Sequence, residues 1–147
     1  MRAVVTRVSS ASVTIEGQVV GAIETGYLIL LGIGPDDTET VCDKLAEKIC
    51  NLRVFEDENG KMNRNLEQVG GSILVVSQFT LYADTSSRRP GFSKAAKPEL
   101  AIPLYERFMD QCCQRGFHVE HGRFGADLKV ASVNDGPVTI LYDTQQP

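Results

Sequence analysis

Two short segments carry groups out of keeping with their surroundings. Ser77-Gln78-Phe79-Thr80-Leu81 follows the apolar run Ile73–Val76. In an extended strand, Ile73, Val75, Ser77, Phe79 and Leu81 share one face, and Leu74, Val76, Gln78, Thr80 and Tyr82 share the other. Both faces begin apolar, which predicts an interior strand, and the Gln78 amide and Thr80 hydroxyl then need partners wherever they are buried. The same pattern fits a strand that simply leaves the core at its end. The second segment is Asn134-Asp135-Gly136-Pro137-Val138-Thr139. Asp-Gly between two β-like runs predicts a hairpin. A Gly-Pro peptide at a strand junction also presents backbone carbonyls with little side chain in the way, although a turn and nothing more accounts for it equally well.

Several familiar chemistries find no support. His118 and His121 have H-x-x-H spacing, but no third histidine, cysteine or carboxylate pair completes a zinc site. No G-x-S-x-G elbow accompanies them, which removes the usual serine hydrolase pattern. Phosphate loops are absent too, since Gly32-Ile33-Gly34 lacks a third glycine. Arg88, Arg89, Lys94 and Lys97 make residues 84–97 locally cationic, with Asp84 opposing them. Such a loop suits phosphates; an exposed basic loop without a partner has the same appearance.

The elements that must position these residues follow from periodicity. Residues 2–15 are rich in β-branched side chains and predict a strand, bent at Ser9-Ser10. Gln18–Ile23 and Tyr27–Ile33 predict two more, the latter covered on both faces. From about Thr38 to Leu52, Val41, Leu45, Ile49 and Leu52 line one face of an amphipathic helix. Arg53–Glu56 reads as a short strand, and Ser72–Tyr82 as a long one. The irregular stretch 84–97 is long enough to suggest a functional loop. Pro98 fits the first turn of a second helix carrying Leu104, Tyr105, Phe108, Met109 and Cys112, while Pro103 should kink it or delay its start. Strands are expected near Val119–Phe124, Leu128–Val133 and Val138–Tyr142. Few strands are joined by helices, so the fold class is α+β: one domain over residues 1–147, with a largely antiparallel or mixed, partly rolled sheet packed with two main helices.

Composition narrows the setting. A chain of 147 residues with 42% hydrophobic residues and a net charge of −4 can build one core and is not disordered. No apolar run reaches the roughly 18–20 residues of a membrane span. The opening Met1–Arg7 is no signal peptide. The four cysteines, Cys42, Cys50, Cys112 and Cys113, form no C-x-x-C pair and suit reduced thiols in a cytoplasmic setting. An acidic pI of about 5.2 argues against coating nucleic acid along its length, while leaving room for a local basic patch.

Taken together, Ser77-Gln78-Phe79-Thr80-Leu81 and Asn134-Asp135-Gly136-Pro137-Val138-Thr139 resemble the paired signature of the D-aminoacyl-tRNA deacylase family. The similarity extends to Arg7-Val8-Ser9-Ser10-Ala11-Ser12-Val13, Gly60-Lys61-Met62-Asn63 and Gly122-Arg123-Phe124, and so runs over essentially the whole chain. Leu128 stands where relatives often carry methionine, a change that conserves volume. The resemblance implies a homodimer that hydrolyses the ester joining a D-amino acid, or misplaced glycine, to the 3′-terminal adenosine of tRNA. It implies no cofactor. It further implies that Gly136 and Pro137, joined by a cis peptide, reach across the dimer and exclude L side chains.

For the chemistry, Ser77, Gln78, Phe79 and Thr80 are the candidate catalytic residues. Thr80 has a hydroxyl of the nucleophile type, but no base is in evidence to activate it. A route assisted by the ribose 2′-hydroxyl is more economical, with backbone N–H groups around Ser77, Gln78 and Phe79 stabilising the oxyanion and Thr80 lining the pocket. Arg88, Arg89, Lys94 and Lys97 would meet the tRNA acceptor end. Small Ala95, Ala96 and Ala101 would leave space for the terminal adenine. Two alternatives stand beside this reading. One is an editing module for a mischarged L-aminoacyl-tRNA, against which Gly136-Pro137 argues. The other is a noncatalytic nucleic-acid-binding module.

Overall fold

The first strand organises everything else. In a computed structural model that describes residues 1–146, β1 (Arg2–Ile15) pairs antiparallel with three neighbours: β2 (Gln18–Ile23), β3 (Gly26–Gly32) and β8 (Lys129–Asp143). Its N-terminal half bonds β3 and its C-terminal half bonds β2, while β8 runs along the opposite edge. Beyond β3 the sheet continues in parallel through β6 (Ser72–Ser77) to β7 (Val119–His121). β2 curls back against β7: the Ala22 N–H reaches Glu120 Oε1 at 3.4 Å, and Gly21 sits against the His121 carbonyl. The sheet is therefore mixed and rolled almost closed, as the fold class anticipates.

Rolling gives the strands two apolar faces. Ala3, Val5, Tyr27, Ile29, Leu31, Ile73 and Val75 point outward to a core shared with the helices. Val8, Ala11, Val13, Ile23, Leu28, Leu74 and Val76 fill the interior of the roll. Residues two apart share a face, so Val8 and Ala11 could not both face inward on a regular strand. A register shift between Val8 and Ser10 resolves this, at the bend expected from the sequence.

α1 (Glu39–Cys50) and α2 (Pro98–Gln114) cover the outer core. Thr38 caps α1 by accepting from the Val41 N–H at 3.3 Å. Leu45 and Ile49 of α1 meet Leu104 and Phe108 of α2 in that core. A short ribbon of β4 (Phe55–Glu56) and β5 (Met62–Arg64) lies apart from the main sheet.

Three expectations need correction. The strand expected to run to Tyr82 stops at Ser77, and Phe79–Tyr82 is a 3-10 turn. Pro103 does not delay α2, which begins at Pro98 and runs through it; the proline is exposed, and the bond it forgoes is the one to the Glu99 carbonyl on the side opposite the buried stripe. Finally, Asp135-Gly136 makes no hairpin. β8 is one strand paired with β1 on both sides of Asp135–Val138, which bulge out between the pairs Val8–Asn134 and Thr6–Thr139.

Candidate active site

β6 ends where it does because of its neighbour. The Gln78 N–H donates to the Leu31 carbonyl at 2.8 Å, and Gly32, lacking a side chain, lets the chain turn over the end of β3. Tyr82 packs against Gly32 and Gly34, where a Cβ on Gly34 would meet its hydroxyl at 3.0 Å. Arg2 braces the back of the turn: Nη1 donates to the Leu81 carbonyl at 2.8 Å, and the guanidinium lies 4.5 Å from the Tyr82 ring centroid. Burial pushes the Tyr82 phenol well above its usual range, so it remains neutral.

The turn borders a cleft of about 580 Å³. Val76, Ser77, Gln78 and Phe79 form one wall; Phe92, Ala95, Ala96, Lys97 and Pro98 form a second. Residues 122–128, which lead from β7 to β8, supply the third with Gly122, Arg123, Phe124 and Asp127. Phe79 meets Phe92 edge-on at 5.2 Å, joining the turn to the basic loop. That loop is well held. Asp84 and Gly91 exchange two backbone hydrogen bonds of 2.7 and 2.9 Å, and the Ala96 N–H reaches the Ile33 carbonyl at 2.9 Å. Bonds from Ser86 hold the Asp84 carboxyl below the usual carboxylate range.

The structure sorts the candidates from the sequence. Ser77, Gln78, Phe79 and Lys97 line the cleft, whereas Thr80 is exposed beside it and receives a hydrogen bond from the Gln78 amide. The Gln78 N–H is committed to Leu31, so it is not available for an oxyanion. Phe79 and Thr80 open the 3-10 turn, and their N–H groups have no backbone acceptor among the described residues. Arg88 and Arg89 are exposed on the loop, and Lys94 lies 3.8 Å from Asp84. Ala101 is 5% exposed in the core of α2 and does not border the cleft, whereas Ala95 and Ala96 do. His118 pairs with Glu120 at 2.9 Å, and His121 Nδ1 lies 2.6 Å from the Gly122 carbonyl.

Gly136 and Pro137 do not line the cleft of their own chain. They stand exposed on the β8 bulge, joined by a cis peptide. Arg7, 6% exposed, holds the base of that bulge: Nε donates to the Asp135 carbonyl at 3.1 Å and Nη1 to the Val54 carbonyl at 2.6 Å. On the same strand Val130, Val133 and Leu141 are exposed, Leu141 by 73%.

Sequence reasoning misses Arg7 and Arg123. Arg7 enters only as the first residue of Arg7-Val8-Ser9-Ser10-Ala11-Ser12-Val13, with nothing to mark it as buried. Arg123 enters only as part of Gly122-Arg123-Phe124, yet it places a cation on the wall containing neither the basic loop nor Lys97.

The fold and site define a small α+β protein whose cleft combines apolar rings, spare backbone donors and cations at two edges. Residues 4–143 match the model of a family described as D-Tyr-tRNA(Tyr) deacylase, and the chain belongs to that family. A D-aminoacyl-tRNA deacylase of Symbiobacterium thermophilum is 56% identical over 147 residues, covering 99% of this chain and 97% of the relative. A solved structure of a protein named c-Myc DNA Unwinding Element Binding Protein is 41% identical, with a TM-score of 0.91 over 97% of this chain and 98% of that one. A second, described as a probable eukaryotic D-amino acid tRNA deacylase, superposes with a TM-score of 0.83 over 96% of this chain and 97% of that one. At 15% identity it speaks for the fold alone. Among the described residues, no helix is long and apolar enough to cross a membrane.

Proposed function

We propose that this chain, acting as one domain over residues 1–147, hydrolyses the ester of D-aminoacyl-tRNA and of misplaced glycyl-tRNA in the cytoplasm, as a homodimer. The observation that carries this reading is the separation of its two signature segments. Ser77–Phe79 border a cleft, while Gly136-Pro137 project from a bulge that takes no part in it. A second copy would supply the missing wall, and the exposed Val130, Val133 and Leu141 of β8 give it an apolar surface to cover.

In this arrangement the terminal adenine lies against Phe92, Ala95 and Ala96. Lys97 and Arg123 meet the flanking phosphates from opposite walls, and Arg88, Arg89 and Lys94 lie further along the acceptor end. The N–H groups of Phe79 and Thr80 polarise the ester carbonyl and take the charge that develops on its oxygen. The adjacent ribose 2′-hydroxyl is already positioned to assist the attack on the ester, which leaves Thr80 as a neighbour of the pocket rather than a nucleophile. Selectivity comes from exclusion: the Gly136 and Pro137 carbonyls of the partner occupy the space an L side chain needs. Glycine has no side chain to exclude.

Ester release from D-tyrosyl-tRNA, L-tyrosyl-tRNA and glycyl-tRNA tests the proposal directly. Release from the D and glycyl esters, with the L ester spared, is expected. One observation favours a noncatalytic nucleic-acid-binding reading: the 41% identical structure is that of a protein named for binding a DNA unwinding element. Inertness toward all three esters, with tight binding to uncharged RNA or DNA, would establish that reading instead.

A further inference from the structure

The chemistry of the cleft makes no use of the sulfur atoms, and two of them are in contact. Cys50 closes α1 and Cys112 lies in the last turn of α2. Both are buried, and their Sγ atoms lie 3.8 Å apart in a sulfur–sulfur hydrogen bond. The other two thiols are placed differently. Cys42 is buried and donates to the Leu104 carbonyl at 3.4 Å, whereas Cys113 is exposed.

We propose that Cys50 and Cys112 are an oxidisable dithiol, which a hydroperoxide converts into a disulfide stapling the C-terminal ends of α1 and α2. The sulfurs are already in van der Waals contact, and the bond requires them to close to roughly 2.05 Å. Rotation of two side chains at helix ends is a small movement compared with shifting a helix. The two thiols also differ in acidity. The hydrogen bond between the two sulfurs pulls the Cys50 thiol below its usual value against the effect of burial, and Arg115 adds to that pull. Cys112 is correspondingly pushed up. In the proposed reaction Cys50 attacks first and Cys112 resolves.

The step balances. The Cys50 thiolate attacks one peroxide oxygen, forming a sulfenic acid and releasing water (or an alcohol, from an organic hydroperoxide). Cys112 then attacks the Cys50 sulfur, gives up its proton, and expels the hydroxyl as a second water. Two thiols lose two electrons and the peroxide O–O bond takes them up. A dithiol reductant reverses the change.

The consequence is mechanical rather than catalytic. α2 meets the cleft through its opposite end, at Lys97 and Pro98. The crosslink closes a loop reaching from α1 through β6 and the basic loop into α2, so it restricts the unfolded chain strongly.

The experiment treats the purified protein with hydrogen peroxide, alkylates it after denaturation, and maps its peptides by mass spectrometry. The expected product has lost two hydrogens and two alkylatable thiols and yields a joined Cys50–Cys112 peptide. Its Tm should rise by on the order of 5–10 °C and return on reduction. Cys113→Ser should behave as the parent does, and Cys50→Ser should lose both the crosslink and the shift. Mapping the parent protein requires no variant to fold. Recovery of Cys50 and Cys112 in alkylated form, with oxidation confined to Cys113 or to disulfides between chains, overturns the proposal. Neither outcome depends on the deacylase reading.

Discussion

A methyl group on Gly136 would lie 2.8 Å from Nη2 of Arg7, so the residue at the tip of the β8 bulge and the cation at its base leave each other no room. Gly136 also has φ +118°, in the region that side chains avoid. The bulge is shaped by an arginine far away in sequence.

Gly136→Ala is therefore expected to cost about 1–3 kcal/mol and to displace the bulge. Denaturant unfolding gives the first quantity. Comparing release from L- and D-tyrosyl-tRNA gives the second, with the preference for the D ester expected to fall. A variant equal to the parent in both respects would separate the bulge from selectivity.

Arg7→Ala leaves the Asp135 and Val54 carbonyls without their donor. A loss of about 2–4 kcal/mol is expected, because the guanidinium is buried and bonded to main chain rather than paired at the surface. The Asp135 carboxylate, 3.7 Å away and largely exposed, contributes little. Arg7→Lys, with a single ammonium, should recover only part of the stability. Full recovery would mean that charge, rather than the fork of donors, holds the bulge.

Thr80→Val removes an exposed hydroxyl whose partner is the Gln78 amide. Ester release from D-tyrosyl-tRNA should stay within about 3-fold of the parent, less than the change general-base or nucleophile loss brings. Near-total loss with the fold intact would make Thr80 the nucleophile.

Lys97 and Arg123 border the cleft from different walls. If each meets a phosphate, KM should rise with salt, and removing either should lower the slope of log KM against log salt by roughly 0.7. kcat should hardly change. A KM independent of salt would leave these cations without a role in binding.

Asp43 accepts two hydrogen bonds of 2.8 Å from Arg107, which hold its carboxyl below the usual carboxylate range. Its contribution is present above the unfolded pKa of about 3.9 and is lost as pH falls through the lower folded value. The pair is partly exposed, so Asp43→Asn should cost at most about 1 kcal/mol at pH 7. Thermal melts of the two proteins should begin to converge only as pH falls below about 4 and meet beneath the folded value.

What the sequence hides are contacts between distant segments. Strand identity up to Ser77 follows from local alternation, and so does the stripe of α1. Past Ser77 the apolar residues Phe79, Leu81 and Tyr82 keep the strand pattern going, yet the chain turns there because Gly32 at the end of β3 and Gly34 just beyond it admit the Tyr82 ring. Asp135-Gly136 has hairpin chemistry, but pairing with β1 on both sides converts it into a bulge. The cleft residues Ser77–Phe79 and Lys97 are visible as types; Arg7 is not, because its partners are two backbone carbonyls that only the fold brings near.

The pairing of β1 with β8 also sets the tempo at which this chain can acquire its shape. Arg2 lies opposite Asp143 and Thr14 opposite Lys129, so the longest ladder joins residues more than roughly a hundred positions apart. On a ribosome, β1 emerges early and its outer edge stays unsatisfied until β8 has been made. Through most of synthesis that edge is open to other strands, and chaperone protection matters most then. Once β8 docks, one strand holds three partners, and β8 spans both the half that pairs with β3 and the half that pairs with β2.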